Sequence, residues 1–549
     1  MEEETKAHEL AKAQREISVA EFFEKNRHLL GFDNPRKALL TAVKEAVDNS
    51  LDACEEAEIL PEISVELIDM GENRFRVIVE DNGPGILKSH IPNIFAKLLY
   101  GSKFHSLRAT RGQQGIGISA AGLYAQLTTG RPVKITSKIS PKYPAHYCEL
   151  LINTLTNKPE IVKENEVNFE KDQGTRVEMD MEAIYQKGSQ SVDEYLKQTA
   201  IVNPHATIIY TNPKAEQYVF ARASNEKPKI PKEIKPHPYG VEVGILIKML
   251  KTTQAKTLQQ FLSTEFSRVS AKVAKEICDK AKIKANAKVS EITRIHAESI
   301  MKAIRDTKII APPTDCVFPI GQELLEKGLK KELQAEFFAS VTRTPSVYRG
   351  NPFIVEVAMA YGGELTAEGT CRVLRFANRV PLQYQQSAGA IHKSIIETNW
   401  KSYGLSQSSG SLPQGPLVIL LHMSSVWVPF TSESKEAIAH YPEIIKEMKL
   451  ALQECGRLLG KYVNKKRRVG DELKKRSYIE KYIPHLADAL HKILGFPESE
   501  EKIIIENLKK ILEKKRGKVE SIEFNPEKNV EYDEEFAKIG KEEVEEGSE

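Results

Sequence analysis

The 549-residue chain lacks several features that would assign a class at sight. Its six cysteines (Cys54, Cys148, Cys278, Cys316, Cys371, Cys455) form no CxxC pair and have no histidine at ligand spacing. That spacing excludes a zinc site or disulfide framework as the organising device and fits a reducing compartment. The longest apolar run, Leu417 to Leu421, is far too short to span a bilayer. The opening segment MEEETKAHEL is acidic and polar where a signal peptide is basic and then apolar, so the expectation is a soluble intracellular protein. Charge of one sign is also missing. With 79 Lys and Arg against 76 Asp and Glu, the net charge is +3, and a nucleic-acid partner has to be argued from local patches. No internal repeat is present.

What is there is enough for three or four domains with ordinary cores: 41% of residues are hydrophobic and 28% charged. Residues 1–25 read as a polar helical arm. Residues 26–237 alternate helical segments with short strands, closing on a Pro/Lys-rich linker from Lys227 to Pro238. Residues 238–306 read as a helical unit, with Thr257–Arg268, Ser270–Ala281 and Ser290–Arg305 at helical spacing, the latter two behind serine N-caps. In residues 307–470 strands return at Phe353–Tyr361, Cys371–Ala377 and Leu417–Met423. The helical stretch Ser387–Trp400 between the last two predicts a βαβ crossover. From Pro442 to Val463, Ile445, Met448, Leu452, Cys455, Leu459 and Tyr462 recur at steps of three and four, one narrow apolar seam on a helix. Residues 471–549 end in a glutamate-dominated tail, expected to be disordered past Tyr532.

Three segments carry chemistry. In the first, a helix predicted to start at Asn34-Pro35, Glu45, Asn49 and Asp52 fall at i, i+4 and i+7 and share a face, opposite the apolar Leu40, Val43, Val47 and Leu51. A carboxylate beside an amide can act as general base for water next to a metal-bound phosphate, and the amide oxygen is a hard ligand of the kind magnesium accepts. In the second, a strand of alternating residues ends at Asp81 and runs into the turn Asn-Gly83-Pro-Gly85. An acceptor-only carboxylate there would read an exocyclic amine such as adenine's, with the glycines admitting a flat ring. In the third, Arg111, Gly112, Gln113, Gln114, Gly115, Ile116, Gly117 and Ile118 lead into a helix. That arrangement exposes N–H groups and a positive helix end to a phosphate, although no Walker Gly-Lys-Ser/Thr follows.

Glu45 and Asp81 lie 36 residues apart, and Asp81 and Gly112 31 apart. In that order the three segments resemble the N, G1 and G2 boxes of the GHKL ATPases, and Gly174-Thr175 resembles the fourth. The resemblance implies a multidomain α+β protein whose first domain is the GHKL (Bergerat) α/β sandwich, holding ATP under a mobile lid. Carried over by position, it implies Glu45 as the activator of water, Asn49 as the magnesium ligand and Asp81 as the adenine reader. It also implies the 111–118 loop around the phosphates, with Asp52, Ser102, Lys103 and Thr175 near the nucleotide.

Within that superfamily, a histidine kinase needs an upstream phospho-acceptor histidine, and neither His8 nor His28 has a suitable context. The long charged linker of the chaperones is missing, as are the EGDSA-like and DxD signatures of gyrase-type cleavage modules. The segment WVPFTSESKEAIA, Trp427 to Ala439, closely resembles the transducer loop of the topoisomerase VI B subunits, whose lysine reaches the γ-phosphate. This implies a switch role for Lys435, an ordinary surface lysine being the alternative. Trp400, Lys401 and Tyr403 resemble that family's WKxY motif, associated with DNA contact; the end of a core helix is the alternative. The helical unit at 238–306 falls where the family has its helix-two-turns-helix module, and the strands after it where it has a βαβ transducer with a long stalk helix. The cluster Lys465–Arg468 reads equally as a DNA-phosphate contact or a solvated face.

The resemblance thus implies the ATP-hydrolysing B subunit of a type IIB topoisomerase, cytoplasmic and nucleoid-associated in an archaeal cell. ATP would dimerise it, residues 1–25 strapping across to the other copy, within an A2B2 heterotetramer. Strand passage through a break made by the A subunit would relax and decatenate double-stranded DNA. No strand scission is expected of this chain alone, and no counterpart of the immunoglobulin-like domain of some relatives is expected before the acidic tail. A GHKL clamp or scaffold without topoisomerase activity, or an enzyme-dead relative, stays open at this point.

Overall fold

The computed structural model describes residues 6–103, 106–112, 115–432, 435–495 and 497–516. Two compact units divide the chain: Met1–Thr398 with Ser408–Cys455, and Asn399–Gln407 with Gly456–Glu549.

The first unit opens with short helices Lys6–Ala13 and Val19–Lys25. Ser18 caps the second, whose Ala20 is fully buried against the first domain's core, with Val19 and Phe23 packed beside it. From Ser18 on, the segment read as a polar helical arm packs against that core. Asn34 caps the 22-residue helix Pro35–Glu56 by accepting from the N–H groups of Arg36 and Lys37, and Pro35 sits where a missing N–H costs nothing.

Eight strands follow: β1 (Glu62–Asp69), β2 (Arg74–Glu80), β3 (Val133–Lys138), β4 (Ala145–Asn153), β5 (Lys158–Val167), β6 (Gly174–Glu182), β7 (Thr207–Thr211) and β8 (Gln217–Phe220). They form one sheet in the order β5-β4-β3-β6-β2-β1-β7-β8, antiparallel except for the parallel pair β1–β7. Alternate residues (Ile63, Val65 and Leu67; Phe75, Val77 and Val79; Val177, Met179 and Met181) point to one face. There they pack with the helices Pro35–Glu56, Gly117–Thr129 and Val192–Val202 in a single core. The functional loops leave this sheet at the end of β2 and at the start of the Gly117 helix, so both open against the polar edge of the first helix.

Residues 238–306 hold four helices around their own core, Val243–Thr252, Leu258–Glu265, Ala271–Ala281 and Arg294–Arg305. Thr257 and Ser270 cap two of them. The last starts later than the sequence suggests: Ser290 lies in a 3-10 turn, and Thr293 caps the helix in a box closed by the His296 imidazole. A histidine at that position can accept the cap's N–H as a glutamate would, which hides the signal from a search for acids.

The strands that follow are β9 (Phe337–Thr342), β10 (Ser346–Tyr348), β11 (Asn351–Tyr361), β12 (Arg372–Ala377), β13 (Val380–Pro381) and β14 (Leu417–Ser425). β11 pairs antiparallel with β14, and β14 pairs parallel with β12, so the connection between β12 and β14 is the expected crossover. Its helix is shorter than expected, Ala390–Ile396, followed by a 3-10 turn at Trp400–Tyr403. Helix Gln322–Glu332 lays Leu325 and Leu329 on Ala358, Ala360 and Leu420 and joins Ile201 and Val202 of the first domain in one cluster, tying the two domains together.

The seam helix runs on from Pro442 to Leu494, 53 residues, where the sequence pattern ends at Val463. Ile445, Met448, Leu452, Cys455 and Leu459 are buried, as the seam requires. Helix Glu498–Arg516 follows. Among the described residues no helix is long and apolar enough to cross a membrane. The tail past Tyr532 lies outside the described residues.

Candidate functional site

A cavity of about 660 Å³ opens between the polar edge of the Pro35–Glu56 helix, the end of β2 and the Gly117 loop. Glu45, Asn49, Asp52, Asp81, Gly85, Ser102, Lys103 and Thr175 line it, together with Gly112, Gly115, Ile116, Gly117, Ile118 and Lys435. Gly83 stands behind Asp81, and Arg111 is turned elsewhere. Gln113 and Gln114 lie outside the described residues.

At one end Asp81 is fixed by its own turn. Its Oδ1 accepts the N–H groups of Gly83 (2.9 Å) and Thr175 (3.0 Å), and its Oδ2 accepts the Ser50 hydroxyl (2.8 Å). Burial raises its pKa and these three donors oppose the rise. Two backbone donors on one oxygen hold the group rigidly and leave Oδ2 with capacity for one further donor, the arrangement suited to an amine on a flat ring. Gly85 has a φ of +70°, and a Cβ there would stand 2.2 Å from the Lys138 carbonyl, so only glycine closes this turn.

At the other end the Glu45 carboxylate lies across the start of the Gly117–Thr129 helix. A Cβ on Gly117 would stand 1.7 Å from Glu45 Oε2, so the glycine is what lets the carboxylate reach the helix's positive end. Asn49 is exposed to the cavity one turn on, its Oδ1 beside Gly112.

Lys435 arrives from the second domain on a loop after β14. It holds a left-handed φ of +54°, and its Nζ donates to the Arg111 carbonyl at 3.1 Å. Burial lowers the ammonium's pKa and Glu45 is the first group to oppose it. The adjacent Glu436 pairs with Lys37 at 2.5 Å, and Lys37 lies over the Tyr384 ring at 5.2 Å, so the second domain walls the cavity as well as reaching into it. Sequence reasoning missed Ser50, Lys37, Glu436 and Tyr384. Only their adjacency to assigned residues, Ser50 beside Asn49 and Glu436 beside Lys435, could have marked them.

Arg111 corrects a reading. Its side chain is fully buried and donates to Asp52 (2.8 Å), Glu55 (2.6 and 2.8 Å) and Asn203 (2.6 Å), so it serves the base of the loop, and only its carbonyl faces the site. Two carboxylates and an amide outcompete a ligand for it, because a buried guanidinium goes where its charge is matched. Asp52 is held in turn by Lys103 at 2.7 Å, so both line the cavity with their charges already paired. His205 completes the group on Glu55 at 2.8 Å.

Asp48, one helical turn from both Glu45 and Asp52, is buried and accepts the Tyr195 hydroxyl at 3.0 Å. Burial first, and Glu45 among the charges, raise its pKa from 3.8 to about 6. The folded pKa lies above the unfolded one, so ionised Asp48 weighs on the fold at high pH and the burden lifts as pH falls through 6. Asp48→Asn is therefore expected to raise the thermal midpoint at pH 8, with the gain shrinking on acidification and gone below about 4. A gain of equal size at every pH in the melting series would remove ionisation as its cause.

The WKxY residues belong to the second unit. Trp400 has 0% exposure, so its indole is a core group and its reading as a DNA contact is corrected: the turn closes over it and Tyr403 meets it edge-on at 6.0 Å. The Tyr403 ring lies against Gly456 and Gly460 of the long helix, and Lys401 alone of the three is exposed. In the same unit Arg467, from the basic cluster, donates to the Gly404 carbonyl at 3.5 Å, while Lys466 and Arg468 are exposed.

Residues 34–182 match the family model described as histidine kinase-, DNA gyrase B- and HSP90-like ATPase. Residues 312–475 match the model of the topoisomerase VI B subunit transducer. The B subunit of the type 2 DNA topoisomerase 6 of Methanococcoides burtonii is 52% identical over 88% of this chain and 78% of its own length. The chain belongs to the family of type 2 DNA topoisomerase 6 B subunits. Members from Methanosarcina mazei (50% identical, 89% of this chain, 79% of the relative) and Archaeoglobus fulgidus (49%, 87% and 80%) are similar over the same extent. Glu45, Asn49 and Asp81 lie within the ATPase match, and Lys435 within the transducer match. Among solved structures, the B-subunit of the DNA gyrase from Myxococcus xanthus aligns at 10% identity and a TM-score of 0.40 over 80% of this chain and 95% of that one, too loosely to bear on the site.

Proposed function

We propose that the cavity binds and hydrolyses ATP, and that the chain works as the ATP-operated clamp of a topoisomerase VI. A partner A subunit makes the double-strand break, and duplex DNA passes through it. The division of labour follows the stretches 1–25 (strap), 26–237 (ATPase), 238–306 (helix-two-turns-helix), 307–470 (transducer and stalk) and 471–549 (A-subunit side). The observation that carries the reading is the Glu45 carboxylate seated over Gly117 at the head of a helix, with Lys435 of the second domain 3.1 Å from the neighbouring loop carbonyl.

Asp81 takes the adenine amine and rejects a carbonyl, since the unmatched pair would be buried. The N–H groups at the head of the Gly117 helix receive the phosphates. Glu45 takes the proton of the attacking water, and the Lys435 ammonium neutralises charge building on the γ-phosphate. The donor set fits magnesium: the Asn49 amide oxygen faces the cavity beside Gly112, where nothing but a hydrogen occupies the Cβ position. Magnesium, when bound, supplies charge neutralisation on the phosphates. Because Lys435 belongs to the transducer, loss of the γ-phosphate removes its counter-charge and frees that domain to move, which is how turnover is felt by the long helix. Two copies close around ATP in an A2B2 assembly, and Lys401 with Lys466, Arg467 and Arg468 offers exposed cations for a DNA backbone.

Lys435→Ala is expected to slow ATP hydrolysis by about a hundred-fold while nucleotide still binds, and to abolish supercoil relaxation on mixing with an A subunit. Steady-state phosphate release and a relaxation assay on the same preparation check both. An unchanged hydrolysis rate would return Lys435 to an ordinary surface role. A wild-type chain that hydrolyses ATP but never supports relaxation with an A subunit would leave a clamp without topoisomerase activity.

A further inference from the structure

The base of the loop is gripped from the transducer at two successive carbonyls. Lys435 holds Arg111, as described, and Asn378 Nδ2 donates to the Thr110 carbonyl at 3.1 Å. The same amide is locked to β14: Nδ2 also donates to the Ser425 carbonyl (2.9 Å), and Oδ1 accepts the Ser425 N–H (2.9 Å). Asn378 therefore bridges the strand that carries the Lys435 loop and the loop that Lys435 touches.

Asn378 and Arg379 are the two central residues of the turn between β12 and β13, whose flanking residues Ala377 and Val380 pair. Their φ values are +47° and +63°, the tight hairpin geometry in which asparagine is at ease and arginine is not. Arg379 is also 3% exposed, and among the described residues no carboxylate pairs with it. Its guanidinium donates to the Pro319 carbonyl at 2.9 Å and lies 5.0 Å from the Phe318 ring, with Nε unmatched. Its N–H donates to His422 Nε2 at 3.0 Å, and His422 Nδ1 meets Glu356 at 2.8 Å. A left-handed arginine with a buried, unpaired charge is costly twice over, and such a turn persists only where the surroundings over-determine it. Here they do. Every polar atom of Asn378's side chain is committed, and the one bond that leaves the transducer goes to the loop at the mouth of the site.

We propose that Asn378 is a positioning residue for ATP hydrolysis. By holding the Thr110 carbonyl it presents the next carbonyl, Arg111, to Lys435, so that the transducer registers the loop at two points. The inference rests on the nucleotide reading of the cavity. Asn378 touches neither substrate nor reacting atoms and acts through Lys435. Its loss should therefore fall on kcat and on coupling, with binding spared.

Two replacements in the full chain, assembled with an A subunit, separate this from a merely structural staple. Asn378→Gly keeps the left-handed turn and deletes the side chain's bonds to Thr110 and Ser425. Asn378→Asp keeps the turn and the acceptor for Ser425, yet has no hydrogen to give Thr110 when ionised. Both are expected to lower kcat about ten-fold, with KM for ATP changed less than about two-fold; Asn378→Gly should keep its thermal midpoint within a few degrees of wild type, while Asn378→Asp, with a buried carboxylate against two carbonyls, should lose more. Hydrogen exchange at residues 109–112 with a non-hydrolysable ATP analogue bound should rise in both. A normal kcat in Asn378→Gly overturns the proposal. So does a slow Asn378→Gly beside a normal Asn378→Asp, since the bond from the Ser425 N–H would then be the one that matters, and so does a loss of kcat in Asn378→Gly matched by collapsed stability. Failure of the wild-type chain to bind ATP would instead strike the nucleotide reading itself.

Discussion

Replacing Glu45 by glutamine should leave ATP bound and bring its hydrolysis almost to a stop. The side chain keeps its shape, so it still fits against Gly117, where the carboxylate has no room to move closer: a Cβ on that glycine would already stand 1.7 Å from Oε2. What changes is that an amide cannot accept the proton of the attacking water. General-base help of this kind is worth about 10²–10⁴-fold, and that is the expected fall in kcat. Affinity should change little, because Asp81, the proposed adenine reader, is held by Ser50, Gly83 and Thr175, none of which touches Glu45. Phosphate release and equilibrium nucleotide binding on one preparation are the measurements. A variant hydrolysing within about three-fold of wild type would take the base role away from Glu45.

Arg111→Leu should cost the first domain more stability than any other single change at the site. The arginine is the shared cation of Asp52 and Glu55, both nearly sealed from water, and its side chain is fully buried. Burial pushes Glu55's pKa up, yet Arg111 and His205 win and hold it well below the usual carboxylate range; Asp52, helped by Lys103, is lowered too. Deleting one partner of such a group leaves charge buried without its match, a loss of about 3–5 kcal/mol. The sign with pH follows from the lowered values. The carboxylates' contribution is present above their unfolded pKa and lost as pH falls through the folded one. In the variant both carboxyls protonate more readily. The gap in unfolding midpoint between wild type and Arg111→Leu should therefore be full above about pH 5 and narrow as pH falls further, below the carboxyls' ordinary values of 4.5 and 3.8. A gap that stays constant would mean that lost packing against Phe318, 5.8 Å from the guanidinium, is what was removed.

The two changes act on different links of one chain of cause. The Glu45 change is expected to reach the chemistry and leave the fold alone, whereas Arg111 fixes the loop whose carbonyl receives Lys435. The Arg111 carbonyl receives Lys435, and the Thr110 carbonyl receives Asn378. A weakened loop base should therefore also loosen communication with the second domain. That distinguishes Arg111→Leu from Glu45→Gln in any assay of coupling.

Local chemistry was legible in the sequence wherever a short stretch fixes its own geometry. Asn34-Pro35 marks a helix start because cap and N1 residue are adjacent, and Glu45, Asn49 and Asp52 share a face by helical period alone. The Asp81 turn and the glycine loop are likewise written in consecutive residues. The crossover after β12 was readable because β11 and β14 are almost wholly buried and so appear as continuous apolar runs. What failed was what depends on distant partners. The indole of Trp400 looks like an exposed reader of DNA until the fold closes over it. Arg111 looks like a phosphate ligand until Glu55 and Asn203 are seen on it, the latter 92 residues away. The long helix outruns its seam because, past Val463, its face turns polar and periodicity falls silent while the helix continues.

The sequence alone determined the family and the segments from which the cavity is built, because these rest on motifs and periods a few residues long. Only the tertiary structure decided which of those residues face the cavity and which are engaged elsewhere. It also showed that Asn378, on a turn with no motif of its own, holds the loop from the second domain. The reason is physical: a buried charge or amide is committed by whichever partner the fold brings within about 3 Å, and that choice is made across hundreds of residues of chain.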